Sequence, residues 1–226
     1  MNLFQSAFAQ LRENEAFKWD SYFRAYEDIM SPFLDKKNLC ILEIGVSKGG
    51  SLDMWAIAFD ESATIVGIDI DPACQLTKHP PNVHVHIIDQ SNPSRLAELA
   101  NRYGGFDIII DDGAHTDGAI KTSLFTLWPH LRDNGVYIVE DIHGTFWSED
   151  WNVEDSFLGF MVNETVALQR VGSRSRVSAL SQLPGLDRIS MHWSICAFIK
   201  SSESSHLKSS LKSSNGIINV FSQLHD

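Results

Sequence analysis

The residues best suited to chemistry in this chain follow two apolar runs, FDIIIDDGAH at 106–115 and GVYIVEDIH at 135–143. Each run ends in an acidic pair, Asp111-Asp112 or Glu140-Asp141, and a histidine follows within three residues, His115 or His143. Runs rich in Val and Ile are typical of buried parallel strands, whose carboxyl ends bind ligands in open α/β sheets. We therefore expect these side chains to share one cleft. Four carboxylates in one cleft repel one another unless a cation or a positively charged ligand lies among them.

Length, charge and cysteine content limit the class of protein. A chain of 226 residues fits one α/β domain, and a formal net charge of -11 argues against a nucleic-acid partner, which needs a concentrated Lys/Arg surface. No apolar stretch reaches the ~18 residues of a membrane span, and the first residues lack a signal-type core. A cytoplasmic protein without a membrane partner is the natural expectation. The three cysteines have no metal-type spacing, so we expect free, buried thiols.

The elements that must position the acidic pairs alternate between strand and helix. Further strands are predicted at 40–45, 64–70 and 83–88, with helical stripes between them and after residue 154. An amphipathic pattern from Trp19 to Met30 predicts a helix that Pro32 ends, within an N-terminal helical extension over about residues 1–35. Residues 188–200 are expected to form one or two closing strands. The predicted domain covers 1–200, and 201–226 is a Ser-rich tail in which 217–221 could pack back as an edge element.

The first strand carries a signal for a nucleotide-type cofactor. In LEIGVSKGGS, glycines at the strand end and at the next helix start let the backbone turn tightly and approach a ligand. The spacing is not G-x-G-x-x-G, so a pyrophosphate is poorly supported, and a merely structural turn stays open. Asp69 follows Gly45 at roughly the 20-residue distance of a ribose-binding acid. Asp89-Gln90 would meet an adenine amino group, so the three strand ends favour an adenosine ligand.

With these motifs in place, the chain resembles the class I S-adenosylmethionine-dependent methyltransferases. The segments LEIGVSKGGSLDMW, IVGIDIDP, FDIIIDDGAHT and GVYIVEDIH are similar to the metal-dependent macrolide-sugar O-methyltransferases, and equally to the cephalosporin hydroxylase-like and rhamnosyl O-methyltransferase group. The resemblance implies a Rossmann-like, seven-stranded, mostly parallel sheet of order 3-2-1-4-5-7-6 with helices on both faces. It implies S-adenosylmethionine over the ends of strands 1 and 2. The sequence departs from the group in two features. Ala114 stands where a serine is usual, and the extra amino-terminal region of the macrolide enzymes is not found in this sequence.

The resemblance and the local chemistry together assign candidate roles. The resemblance implies that Asp112, Glu140 and Asp141 bind Mg²⁺ or Mn²⁺. These residues suit such an ion, because it prefers carboxylate oxygens as ligands. The alternative is that these acids cap helices. His115 is the candidate general base, against a structural role, and His143 is an alternate base or an acceptor contact. Residues 145–148 would form an acceptor wall or belong to the core. The predicted cofactor-binding residues are Glu43, Gly45, Ser47, Gly49, Ser51, Asp69, Asp71, Asp89, Gln90 and Asp111, the last with a structural role equally open.

Three functions from different classes remain at this stage. The leading one is a metal-dependent O-methyltransferase on a hydroxyl of a sugar or other polyol, in natural product or polysaccharide biosynthesis. The second is a redox enzyme on the same fold, in which His115, His143 and a carboxylate would hold iron. The third is a non-catalytic nucleotide-binding protein. The expected partner is a small-molecule acceptor, and the sequence leaves open whether the chain forms a homo-oligomer.

Overall fold

The fold is built on one seven-stranded sheet. A computed structural model describes residues 1–147, 149, 151–170, 181–202, 209–214 and 217–222, the last two ranges as backbone only. The strands follow the order β3-β2-β1-β4-β5-β7-β6, in which β7 runs antiparallel to both β5 and β6 and the other pairs are parallel. Their bounds are β1 Cys40–Ile44, β2 Thr64–Asp69, β3 Val83–Ile87, β4 Phe106–Asp111, β5 Leu131–Val139, β6 Leu186–His192 and β7 Ile195–Lys200.

Within the described residues, six α-helices accompany the sheet, and local sequence signals fix their ends. In the fourth helix the Asn92 side chain accepts a hydrogen bond from the Arg95 amide, Pro93 occupies the first turn, and Gly104 ends the helix in the left-handed conformation. The helices are α1 Leu3–Phe8, α2 Asp20–Met30, α3 Gly50–Ala58, α4 Pro93–Tyr103, α5 Asp117–Leu127 and α6 Phe157–Arg170.

Apolar side chains on both faces of the sheet form two cores. One face packs against α1, α2 and α3, where Phe4, Tyr26 and Trp55 are fully buried and contact one another through their rings. The other face packs against α4, α5 and α6. The predicted fold class, strand order and closing strands are therefore confirmed. The three cysteines are free and buried, as expected.

The C-terminal segment differs from its prediction. Residues Ile217–Ser222 do not extend the main sheet; they pair in antiparallel register with Ser209–Ser214 as a separate two-stranded sheet. The remaining tail residues, 203–208, 215–216 and 223–226, lie outside the described residues. Among the described helices, none is both long enough and apolar enough to cross a membrane.

The first two helices are joined by residues 9–19, which we call the N-terminal strap. The strap crosses the carboxyl end of the sheet, where the Gly50 amide donates to the Glu15 carbonyl at 3.1 Å. The Asn14 amide donates to Asp53 Oδ2 at 2.7 Å and to the Lys78 carbonyl at 2.8 Å. These bonds place the strap directly over the ends of the parallel strands.

Candidate active site

A cleft of about 860 Å³ opens at the carboxyl ends of β1, β2, β3 and β4. This volume lies within the roughly 300–1,000 Å³ typical of small-molecule sites. Its floor and one wall come from strand-end loops around Gly45, Asp69, Asp89 and Asp112. The opposite wall is the N-terminal strap, through residues 14–18. A ligand in this cleft would therefore lie between the strap and the sheet.

The loop after β1 has the backbone form that a bound cofactor requires. Gly45 has a φ of +94°, and a Cβ atom there would lie 2.1 Å from the Asp112 carbonyl oxygen, so only glycine fits. Asp69 Oδ2 accepts hydrogen bonds from the amides of Val46 and Ser47 at 2.8 and 3.0 Å. These amides and that of Asp71 outweigh burial and lower the pKa of Asp69, so its carboxylate fixes the loop in place.

The predicted cofactor residues divide into two groups. Six of them line the cleft: Gly45, Ser47, Ser51, Asp69, Asp89 and Gln90. The other four do not: Glu43, Gly49, Asp71 and Asp111. Glu43 is fully buried behind the loop, where it accepts from the Ser51 hydroxyl at 2.8 Å, and Asp71 instead caps a short 3₁₀ helix by accepting from the Ala73 amide.

Asp111 lies in a buried polar network behind the cleft. Its carboxylate accepts hydrogen bonds from the Gln90 amide, the Ser123 hydroxyl and the Tyr137 hydroxyl. Burial raises its pKa to about 6, because these donors only partly offset the loss of water. The contacts fit the structural role that the sequence left open. The Gln90 amide nitrogen points away from the cleft, because it donates to Asp111. The Gln90 amide oxygen accepts a hydrogen bond from the Ala114 backbone amide.

Three of the chemically suited residues converge at the end of the cleft. Asp112, His115 and Asp141 each offer one ligand atom, and these atoms lie within 4.8 Å of one another. His115 Nε2 is 3.9 Å from Asp112 Oδ1 and 3.7 Å from Asp141 Oδ2. The other oxygen of Asp141 accepts a hydrogen bond from the Tyr22 hydroxyl. Each carboxylate thus turns one oxygen toward the histidine, which is a geometry that can receive a cation.

Glu140 lies apart from this group and is fully buried. Its Oε1 accepts from the Tyr26 hydroxyl at 2.6 Å, and its Oε2 lies 2.8 Å from the Lys18 ammonium. Burial raises the pKa of Glu140, and the nearby Lys18 ammonium opposes that shift. The assignment of Glu140 as a metal ligand therefore stays a prediction.

Backbone strain is concentrated around the site. Among described residues other than glycine, six have positive φ, and four of them surround the site: Ser47, His115, Asp141 and Ser194, with φ between +50° and +59°. A left-handed conformation costs a residue of this kind about 1–2 kcal/mol. The surrounding fold holds these four residues in that conformation, and such clustering is typical of functional sites.

An aromatic surface adjoins the acidic group. The ring of Trp193, at the turn between β6 and β7, stacks on His143 with a centroid distance of 5.9 Å and contacts Trp19 at 5.3 Å. Trp147 meets the rings of both His143 and His115 edge-on. The three tryptophans are between 42% and 64% exposed, so their faces are open to a ligand. We call Trp19, His143, Trp147 and Trp193 the aromatic platform.

The predicted acceptor wall only partly coincides with the platform. Trp147 belongs to it, but Phe146 packs on Trp151 with a centroid distance of 4.7 Å. Thr145 is buried and donates to Asp117, and Ser148 lies outside the described residues. His143 is held by Ser194, whose hydroxyl contacts both its amide and its Nδ1.

Three site residues were not predicted from the sequence: Lys18 and the two tryptophans outside the strand-end motifs, Trp19 and Trp193. Lys18 precedes α2 and Trp19 begins its amphipathic pattern, and nothing in their spacing points to β4 or β5. The available signal was chemical: a lysine beside an aromatic residue in a chain rich in strand-end carboxylates. Trp193 lies at a hairpin turn, and a single exposed apolar residue in a sequence gives no signal of ligand contact.

The strand order and the cleft over β1 to β4 define a Rossmann-like methyltransferase fold. Residues 42–142 match the family model Methyltransf_24, described as a methyltransferase domain. The chain also aligns with a solved structure of MycE methyltransferase from the mycinamycin biosynthetic pathway in complex with Mg and SAH. That alignment has a TM-score of 0.71 at 24% identity and covers 88% of this chain and 53% of the other, so it speaks for the fold.

Curated relatives carry the resemblance further. The chain is 38% identical over 139 residues to 8-demethyl-8-alpha-L-rhamnosyl tetracenomycin-C 2'-O-methyltransferase of Streptomyces olivaceus, over 58% of this chain and 36% of that protein. It is 35% identical over 138 residues to mycinamicin VI 2''-O-methyltransferase of Micromonospora griseorubida, over 57% of this chain and 31% of that protein. The resemblance to sugar O-methyltransferases is confirmed, although the match spans about a third of these relatives' length.

Proposed function

We propose that this chain is an S-adenosylmethionine- and Mg²⁺-dependent O-methyltransferase that acts on a hydroxyl of a sugar or another polyol-containing small molecule. The observation that carries the proposal is the convergence of Asp112, His115 and Asp141 at one end of a cleft of cofactor size. The relatives are named as 2'-O- and 2''-O-methyltransferases of a rhamnosyl tetracenomycin-C and of mycinamicin VI, and these names support the same chemistry.

The cleft residues fit S-adenosylmethionine. Gly45 lets the backbone approach the ligand. Asp69 and Asp89 offer carboxylates to ribose and adenine groups. The side chain of Ile70, which lines the cleft beside them, is 68% exposed. When bound, S-adenosylmethionine supplies a methyl group on a sulfonium. The protein must then align that methyl with an acceptor oxygen about 3 Å away, so catalysis is mainly positioning.

The acidic group fits a divalent ion. Asp112 and Asp141 would hold it, with Glu140 as the third predicted ligand, and open positions would remain for the acceptor. Such an ion supplies positive charge that orients an acceptor hydroxyl and lowers its pKa. His115 lies within 4 Å of both aspartates, so a proton leaving that hydroxyl has a basic nitrogen at hand.

The aromatic platform would receive the acceptor. Its exposed tryptophan faces suit the apolar side of a sugar ring, and His143 in their midst can hydrogen-bond a sugar hydroxyl. The redox alternative needs two histidines on one ion. Among the described residues the ligand group contains one, because His143 is bonded to Ser194 and stacked on Trp193.

The test separates cofactor from metal. Calorimetry should show S-adenosylhomocysteine binding at micromolar affinity, about 7–8 kcal/mol, and Asp69→Ala should weaken it at least about tenfold. Methyl transfer from labelled S-adenosylmethionine to a panel of rhamnosides should stop with EDTA and return with Mg²⁺. Absence of cofactor binding to folded protein would refute the proposal, and turnover that survives chelation would remove the metal from it.

A further inference from the structure

Lys18 carries a buried ammonium group into the acidic site. Its side chain is 2% exposed, and Nζ lies 2.7 Å from Asp112 Oδ2, 2.8 Å from Glu140 Oε2 and 3.7 Å from Glu43 Oε1. Asp112 and Glu140 directly follow strands β4 and β5, and Glu43 lies near the end of β1, so one ammonium of the N-terminal strap faces acidic side chains from three strands. A buried charge is tolerated only when such partners surround it.

The lysine and the predicted metal use the same carboxylates. Asp112 and Glu140 are two of the three predicted ligands, and both already face the ammonium. A hard divalent ion prefers carboxylate oxygen to imidazole nitrogen, so Glu140 is a better third ligand than His115. An ion on Asp112, Glu140 and Asp141 would lie against the ammonium, and two cations in one buried place repel each other.

We infer that Lys18 holds the place of the divalent ion when the site is ion-free, and that ion and ammonium compete for Asp112 and Glu140. The inference rests on the proposed metal site. Glu43 can receive the displaced ammonium more closely, because its buried Oε1 already lies 3.7 Å from Nζ and receives no hydrogen bond among the described residues. Displacement of the ammonium toward Glu43 moves the Lys18 side chain along the wall of the cofactor cleft. The conformation of the strap at Lys18 therefore depends on whether the ion is bound.

The test is calorimetry and thermal denaturation of the full chain with Mn²⁺ in three forms: wild type, Lys18→Met and Lys37→Met. Lys37 is the control, since it pairs with Asp60 at the surface, far from the cleft. Removing the competing ammonium should tighten Mn²⁺ binding at least about tenfold, the low end of the effect of a charge at 4–6 Å on its neighbour. The Mn²⁺-induced rise in Tm should also exceed that of wild type, while Lys37→Met matches wild type.

A second variant guards against loss of folding. Lys18→Gln keeps hydrogen-bond donors near the carboxylates without the charge, and it should show the same gain in Mn²⁺ affinity. If wild type binds Mn²⁺ and both Lys18 variants bind it equally or more weakly, ion and ammonium coexist and the inference is wrong while the proposed function stands. If no form binds Mn²⁺, both the inference and the metal dependence fail, and S-adenosylhomocysteine binding then decides what remains of the proposed function.

Discussion

Replacement of Gly45 by alanine tests the junction between the cofactor loop and the metal site. Gly45 has a φ of +94°, and an added Cβ would lie 2.1 Å from the Asp112 carbonyl oxygen and 2.7 Å from its carbonyl carbon. Both neighbours are backbone atoms, so the overlap cannot be relieved by rotating a side chain. Either the loop or the segment after β4 must move, and each carries a residue of the site, Ser47 or Asp112.

The loss of folding free energy in Gly45→Ala has two parts, and substitutions at two other glycines distinguish them. The left-handed conformation costs alanine about 1–2 kcal/mol, and the overlap adds about 1–3 kcal/mol, as for an overpacked core. Gly104 has a φ of +66° with nothing within 4 Å of an added Cβ, so Gly104→Ala isolates the conformational part. Gly118, in α5, has neither problem, and Gly118→Ala should stabilise the protein by about 0.5–1 kcal/mol.

The assay is thermal denaturation of the three variants beside wild type, followed by calorimetry with S-adenosylhomocysteine and Mn²⁺. At roughly 2–4 °C per kcal/mol for a domain of this size, the combined cost of about 2–5 kcal/mol should lower the Tm of Gly45→Ala by about 4–20 °C. The conformational cost alone should lower the Tm of Gly104→Ala by about 2–8 °C, and only Gly45→Ala should weaken the binding of both ligands. If Gly45→Ala is no less stable than Gly104→Ala, the close approach of the loop to Asp112 is not present in solution.

The remaining predictions concern the groups around the cleft. His115→Ala should lower turnover by ~10²–10⁴ with cofactor affinity unchanged, whereas Asp112→Asn should also lose Mn²⁺ binding; near-normal turnover of His115→Ala would make that histidine structural. Trp193→Ala should raise KM for a glycoside acceptor and leave S-adenosylhomocysteine affinity unaltered, and an equal effect of Trp151→Ala would contradict a platform role. Amide donors lower the pKa of Asp69 in the folded protein. Its carboxylate therefore stabilises the fold fully at pH values above the unfolded-state pKa of about 4. This stabilisation is lost as the pH falls through the lower pKa of the folded state. Asp69→Asn should therefore lower Tm at pH 7 and weaken the acid dependence of Tm; an unchanged acid dependence would show that the loop amides do not hold the carboxylate.

The sheet could be predicted from the sequence because its strands carry strong local signals. Runs such as Cys40–Ile44 and Phe106–Asp111 are buried along their length, and turn residues bound each of them. The placement of Asp112, His115 and Asp141 followed from the same rule, since parallel strand ends meet at one edge. The start of β5 was predicted less well than the other strands. Its first residues, from Leu131, include charged and exposed positions, which weaken the apolar pattern.

Contacts between distant segments could not be predicted in this way. Asp111 and Asp112 are adjacent, yet the strand pleat turns the first into a buried network and the second into the cleft. Glu140 and Asp141 separate in the same manner, toward Tyr26 and toward Tyr22. Which tyrosine or lysine each acid meets depends on how α2 and the strap pack on the sheet, and no local pattern encodes that packing.

The ion pairs of Lys18 also bear on how the chain folds. Its partners Asp112 and Glu140 are 94 and 122 residues away in sequence, so the pairs close only after β4 and β5 have joined the sheet. Long closures of this kind slow folding. The N-terminal strap therefore docks only after these distant strands have paired, and until it does, the acidic side chains near three strand ends have no ammonium between them.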